Sequence, residues 1–446
     1  MADRDPVQQR EFALSIVRRL RQAGHDAYWA GGCVRDALLG RQPKDYDVAT
    51  DARPPQIREL FGRHTTLDIG AAFGVVAVVG PRPAGIVEVT TFRQEAGYLD
   101  GRHPDPEGIR FTSAEKDAQR RDFTINGLFY DPLEADESRR VIDFVGGVGD
   151  LRRKVVRAIG NPRDRFDEDK LRMLRGVRFA ATFDFDLDEA TSTAIAELAP
   201  TVTVVSAERI AQEMRALLVL PGRARGMELL RQSGLLAVIL PELVSLAETP
   251  VERDRPESEN LWQRTLAVLD RLPSPGVPLA LAALLHASVW HESGSVGDGP
   301  RAAAEIVKQV AERWRLSNKE TDGAAWLVER HRALVSAESM PWPRLQRLLI
   351  SPDIDDLLKL HAAIADASRH ESTHVDFCRR CLQLPPEELN PAPVLTGDDL
   401  VRHGVPRGKH YKTLLEAVRD AQLEKRVKNL DEALALVERL LDNVKP

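Results

Sequence analysis

Two carboxylates spaced one residue apart set the chemistry this chain can do. They are Asp45 and Asp47, in the run Asp45-Tyr46-Asp47-Val48. In a strand, residues i and i+2 share a face, so both acids point one way while Tyr46 and Val48 point into a core. Neighbouring carboxylates repel each other unless a cation sits between them. Magnesium prefers oxygen ligands and takes one or two carboxylates together with substrate phosphates, which makes Mg²⁺ the natural occupant. Just upstream, the apolar run Tyr28-Trp29-Ala30 ends in Gly31-Gly32 and enters a helical segment bearing Arg35. Glycines at a strand-to-helix turn let N–H groups approach an anion, and the helix N-terminus favours negative charge. Arg35, one turn in, supplies a bidentate phosphate contact. Each device alone is commonplace. Their joint occurrence between Tyr28 and Thr50 points to nucleotide chemistry.

A second constellation lies in RFDEDKLRMLRGVRFA, residues 165–180. Leu174, Val177 and Ala181 give this segment the buried face of a helix. Asp169 and Arg172 stand three apart, the spacing of an ordinary surface ion pair. Hydrogen-bond geometry offers another reading. Cytosine and adenine each present an amino donor beside a ring-nitrogen acceptor; a carboxylate accepts from the first while a guanidinium donates to the second. Guanine and uracil present the opposite order. Arg175 and Arg178 continue round the same helix and extend the row from base to triphosphate.

These devices need elements to hold them. Residues 7–22 read as an amphipathic helix with Phe12, Ile16, Val17 and Leu20 on one side. From Tyr28 to about Asp150 short β-rich runs dominate: Val75–Val79, Ile86–Thr90 and Val141–Phe144, punctuated by Gly and Pro. Glu88 lies in the second of these, either as a third acid near the aspartates or as an outward strand charge. Residues 120–131 read as the start of a helix with Asp122 and Asn126 one turn apart. Beyond residue 151 the pattern is helical almost to the end.

Composition constrains the rest. With 446 residues, 43% hydrophobic, 29% charged and a net charge of −6, the chain has room for several domains. The acidic balance gives no whole-chain argument for nucleic acid, so such a partner must use local basic patches such as Arg152–Arg178 and Arg402–Lys428. The absence of a long apolar run indicates no membrane span, and the start lacks a signal-peptide core. Three cysteines, Cys33, Cys378 and Cys381, fit a reducing cytoplasm rather than a disulfide framework.

GGCVRDALLG followed by DYDVAT resembles the head domain of class II CCA-adding tRNA nucleotidyltransferases and bacterial poly(A) polymerases, within the DNA polymerase beta superfamily. The likeness continues in RRDFTIN, whose matching roles put Arg121 near the triphosphate and Asp122 and Asn126 near the ribose. EDKLRMLRGVRF matches the family's protein template for base choice, Asp169 and Arg172. Asp143 to Leu151 matches its connecting hinge. The loop at 91–112 keeps the family's full length with Asp100, Arg102 and Pro104, which argues against an enzyme that adds only CC. Where relatives with a phosphohydrolase module carry a His and a His-Asp pair, this chain has Arg264 and His286-Ala287, implying helical scaffold without hydrolase activity. His331 then becomes a packed or exposed histidine.

The resemblance implies an α+β protein. A small mixed α/β nucleotidyltransferase head (1–150) precedes an all-helical neck that selects the nucleotide (151–245), a body (246–385) and a tRNA-binding tail (386–446). Its basic turn carries Arg407, Lys409, His410 and Lys412. The implied reaction adds CCA to the 3′ end of tRNA from CTP and ATP, releasing pyrophosphate. Asp45 and Asp47 hold the metal, Glu88 is a further catalytic acid, and Gly31, Gly32, Arg35, Arg121, Arg175 and Arg178 hold the triphosphate. A-only addition and poly(A) synthesis are the neighbouring alternatives; a catalytically dead RNA-binding scaffold is the rival of another class. Oligomeric state is not legible.

Overall fold

The computed structural model describes residues 5–70, 73–95, 109–251, 259–288, 299–408 and 410–442. The loop motif Asp100, Arg102 and Pro104, and Lys409 of the tail, lie outside them. The chain divides into two compact units, residues 1–248 with 312–315, and residues 249–311 with 316–446.

The first unit opens with helix α1 (Pro6–Gln22), started by Asp5, whose side chain accepts from the Val7 and Gln8 N–H groups, with Pro6 at the first position. Its apolar stripe, Ala13, Ile16, Val17 and Leu20, is fully buried. Strands β1 (Ala27–Ala30), β2 (Asp47–Thr50), β3 (Thr66–Gly70), β4 (Val75–Val79), β5 (Ile86–Thr91), β8 (Leu128–Tyr130) and β9 (Val141–Asp143) form one mixed sheet in the order β3-β4-β5-β2-β1-β8-β9. β6 (Arg93–Glu95) pairs with β7 (Ile109–Phe111) as a separate ribbon. β2 and β5 are parallel; β1 runs antiparallel to both β2 and β8. One face is filled by Tyr28, Phe92 and Phe129, with Phe92 and Phe129 edge to face at 5.9 Å.

Helices α2 (Gly32–Leu38), α3 (Pro54–Phe61), α4 (Ala114–Gln119) and α5 (Gly147–Arg153) join these strands. The helical part that follows comprises α6 (Pro162–Glu168), α7 (Leu171–Phe183), α8 (Glu189–Leu198), α9 (Ala207–Leu218), α10 (Arg223–Gln232) and α11 (Leu235–Ile239); β10 (Val155–Val156), before α6, pairs with β11 (Asp186–Leu187), between α7 and α8.

Two segments depart from their sequence reading. Residues 120–131 do not start an α-helix: Thr124–Asn126 is a single 3₁₀ turn, and Leu128–Tyr130 is a sheet strand. Leu128 and Phe129 are buried on both sides of that strand, so tertiary burial replaces the helical period. Residues 165–180 are not one helix either. The chain breaks at Asp169, whose backbone is extended (φ −151°, ψ 104°), and Lys170 restarts it.

Among its described residues the second unit's regular elements are helices, with one isolated β-bridge between Pro250 and Asn260. Leu279–Leu285, all buried, form the centre of one helix, and His286 follows it. His331 is half-buried and packs edge-on to His286, ring centroids 5.8 Å apart. Cys378 is buried and both it and Cys381 are free thiols. Leu400, Val418, Ala433 and Val437 centre a separate small core near the end of the chain.

Candidate active site

The strand-to-helix turn after β1 is built on Gly31, at φ 72° and ψ −122°, a conformation open to glycine and not to side chains. A Cβ there would lie 2.8 Å from Nη1 of Arg121, so the glycine also makes room for that guanidinium. Arg35, in α2, is buried. Its Nη1 donates to Asn126 Oδ1 (2.6 Å) and its Nε to Asp36 Oδ1 (2.8 Å), and the guanidinium lies over the Phe183 ring. Burial lowers its pKa, and Asp36 opposes the shift.

β2 begins at Asp47, with Asp45 just before it; Tyr46 and Val48 are buried and both acids exposed, as the alternation requires. Parallel pairing places Glu88 of β5 directly beside Asp47. Although Asp47 reaches solvent, the surrounding protein, then Glu88 and Asp45, push its carboxyl up to about 6 against the pull of Arg121. This is an acid cluster whose charge a cation would relieve, and its donors are hard oxygens that suit Mg²⁺. Among the described residues no three His, Cys, Asp or Glu side chains are grouped so as to hold a metal by themselves.

The turn 120–126 delivers three groups. Asp122 accepts both Nε (2.9 Å) and Nη2 (2.7 Å) of Arg175 on one oxygen and Asn126 Nδ2 (3.0 Å) on the other. Burial alone would raise Asp122; Arg175 and Asn126 instead hold it down to about 2. Arg121 Nη1 donates to the Asn126 carbonyl (3.2 Å), and its guanidinium lies over Phe129.

At the break between α6 and α7, Asp169 Oδ1 accepts the N–H of Leu171, the first residue of α7 (3.0 Å). Asp169 and Arg172 do not pair with each other. Asp169 accepts from both terminal nitrogens of Arg209 in α9, Nη1 to Oδ1 (3.1 Å) and Nη2 to Oδ2 (2.7 Å). Arg172 Nη1 donates to Glu168 (2.5 Å) and to the Arg165 carbonyl (3.0 Å). Arg178 donates to Glu213 of α9 (2.5 Å) and lies over Phe179.

A cleft of about 550 Å³ gathers Gly31, Gly32, Arg35, Asp47, Glu88, Arg121, Asp122, Asn126, Asp169, Arg172 and Arg175. Asp45 and Arg178 are not in its lining. Arg93 and Arg120 line it without having been singled out in the sequence; Asp117 and Arg209 brace its residues from behind, and Glu213 faces Arg175. Asp117 stands three and four residues before the arginine pair, a spacing that the sequence displays. Arg209 and Glu213 carry no such sign, because their partners lie on another helix.

A mixed sheet with paired acids at one strand end, a glycine turn beside them and an arginine-lined helix across the cleft defines a nucleotidyltransferase. Residues 27–157 match the family described as the poly(A) polymerase head domain, and residues 184–246 match the probable RNA- and SrmB-binding site of polymerase A. A CCA-adding enzyme of Geobacillus kaustophilus is 32% identical over 435 residues, 95% of each chain. One from Geobacillus thermodenitrificans is 33% identical over 96% of each. The crystal structure of the Bacillus stearothermophilus CCA-adding enzyme in complex with CTP superposes with a TM-score of 0.73 at 29% identity, covering 99% of both chains. The chain belongs to the CCA-adding enzyme family of nucleotidyltransferases.

Proposed function

We propose that the chain adds CCA to the 3′ end of tRNA without a nucleic-acid template, with CTP and ATP as donors and pyrophosphate released. The observation that carries this reading is one cleft holding both the acid cluster of β2 and β5 and the Asp169–Arg172 base-reading groups. End-to-end similarity to CCA-adding enzymes supports it. Asp45 and Asp47 would hold Mg²⁺, which when bound offsets phosphate charge and activates the tRNA 3′-hydroxyl. Glu88, beside Asp47, is the third carboxylate, placed to share that role or to accept the hydroxyl proton. The Gly31–Gly32 turn, Arg121 and Arg175 face the polyphosphate, with Arg35 behind them. Asp122 and Asn126 present hydrogen-bonding groups to the ribose. Asp169 accepts from the exocyclic amine of C or A while Arg172 donates to the ring nitrogen; G and U meet like against like. We assign the head to residues 1–150, the nucleotide-selecting, RNA-binding neck to 151–245, helical scaffold to the body (246–385) and tRNA binding to the tail (386–446). The setting is the reducing cytoplasm, where free thiols persist.

The test incubates the protein with Mg²⁺ and labelled tRNA transcripts ending before CCA, after C and after CC, with CTP, ATP or both. Stepwise C, C and A on the first transcript is the expected result. A single A confined to the CC-ended transcript would mean an A-adding specialist, and a long A ladder a poly(A) polymerase. No incorporation on any substrate would reject the reading.

A further inference from the structure

We infer that Asp117 is the positioning residue for the polyphosphate wall of the cleft, fixing the guanidiniums of both Arg120 and Arg121. The inference rests on the cleft's being the nucleotide site of the proposed function. Asp117 sits in α4 with 1% of its surface exposed. Its Oδ1 accepts Nε (2.8 Å) and Nη2 (2.7 Å) of Arg120 and the backbone N–H of Arg93 (3.2 Å). Its Oδ2 accepts Nε (3.2 Å) and Nη2 (3.1 Å) of Arg121. One buried carboxylate thus grips two adjacent arginines, each by the same edge of its guanidinium, and all three of its partners line the cleft.

The two-edged grip has a physical purpose. Neighbouring guanidiniums repel, and long side chains relax into solvent unless something fixes their planes. Arg121 is held against Gly31, and the Arg120 carbonyl accepts from Arg172 Nη2 (3.4 Å). Burial would raise the Asp117 carboxyl, but Arg121 and Arg120 hold it below the usual range, so it stays ionised and keeps its grip. Removing its charge leaves the cations in place but unaligned.

The experiment titrates the full chain calorimetrically with ATP, CTP and inorganic tripolyphosphate in Mg²⁺, for the parent and for Asp117→Asn, which keeps the shape and removes the charge. All three should bind more weakly by one common factor, about tenfold or more, with base choice in tRNA extension retained. Tripolyphosphate affinity within about twofold of the parent, or unequal loss for ATP and CTP, would overturn the inference. Should melting show Asp117→Asn unfolded, Asp117→Glu is read the same way. Its carboxylate is displaced by one methylene, and unaltered affinities there overturn the inference equally. A parent that binds tripolyphosphate, loses it in Asp117→Asn and yet extends no tRNA would reject the proposed function and retain this one. A CCA-adding parent whose Asp117→Asn variant binds as tightly would reject this one alone.

Discussion

Asp169 is already engaged by Arg209, and under the proposed base-reading role that changes what its neighbours must do. Arg209 holds both its oxygens, fixing the carboxylate plane, while Glu168 holds the Arg172 guanidinium. A base reader needs such fixing, because a carboxylate free to rotate accepts from the wrong edge at little cost. Arg209→Ala should therefore raise misincorporation of GTP and UTP by about tenfold while leaving turnover with CTP largely intact. Arg172→Ala, which removes the donor itself, should relax base choice further. Asp47→Ala should abolish addition of every nucleotide, since it removes a carboxylate of the acid cluster and leaves the reader intact. Competition assays with mixed nucleotides separate the three. Normal turnover in Asp47→Ala would remove the metal assignment, and unchanged fidelity in Arg209→Ala would show that Asp169 needs no brace.

At the scale of elements, the active residues ride on short, tightly packed turns rather than on long helices. The 3₁₀ turn Thr124–Asn126 is pinned from below: a Cβ on Gly147 would lie 2.1 Å from the Thr124 carbonyl oxygen, and Asp150 accepts the Thr124 hydroxyl (2.7 Å). Gly147→Ala should cost about 1–3 kcal/mol by overpacking and displace Asn126 with the turn. The expected result is a lower melting temperature together with a higher KM for ATP and CTP; a lower melting temperature alone would uncouple α5 from the site. The same turns mark where the sequence was and was not readable. The alternation at Tyr46 and Val48, the Gly31 turn and the buried stripe of α1 follow from period and residue type, and the fold keeps them. The break at Asp169 and the strand at Leu128–Tyr130 do not, because both are decided by partners far along the chain: Arg209 at one and the β1 and β9 pairings at the other. Local pattern carries no trace of such partners, so the i,i+3 spacing of Asp169 and Arg172 suggested a contact that the backbone does not make.

Over the whole molecule, likeness to known CCA-adding enzymes runs nearly end to end, and groups with shifted titration lie in both units. In the second unit His361 is buried. Its Nε2 lies 3.1 Å from the Arg330 carbonyl, and its ring packs edge-on to His374 at 5.3 Å. Burial, and then His374 and His331 against that hydrogen bond, lower its pKa from the ordinary 6.5 to about 4, and burial brings His286 down to about 4 as well. An unfolded chain takes up these protons near the ordinary value while the folded one refuses them, so between the two values the unfolded state binds more protons. Their contribution is complete above the ordinary value and is lost as pH falls toward about 4. For His361 the loss is roughly 1–2 kcal/mol by about pH 5. Asp122, held near 2, loses its contribution only as pH falls through the ordinary carboxylate value of 3.8 toward about 2, and Asp47, raised to about 6, acts with the opposite sign. The discriminating measurement is the urea midpoint of the parent and of His361→Gln between about pH 7 and about pH 4.5. The parent's midpoint should fall more steeply on acidification than the variant's. Parallel curves would mean that His361 takes its proton in the folded protein as readily as in the unfolded one, through an opening of its surroundings that relieves the burial.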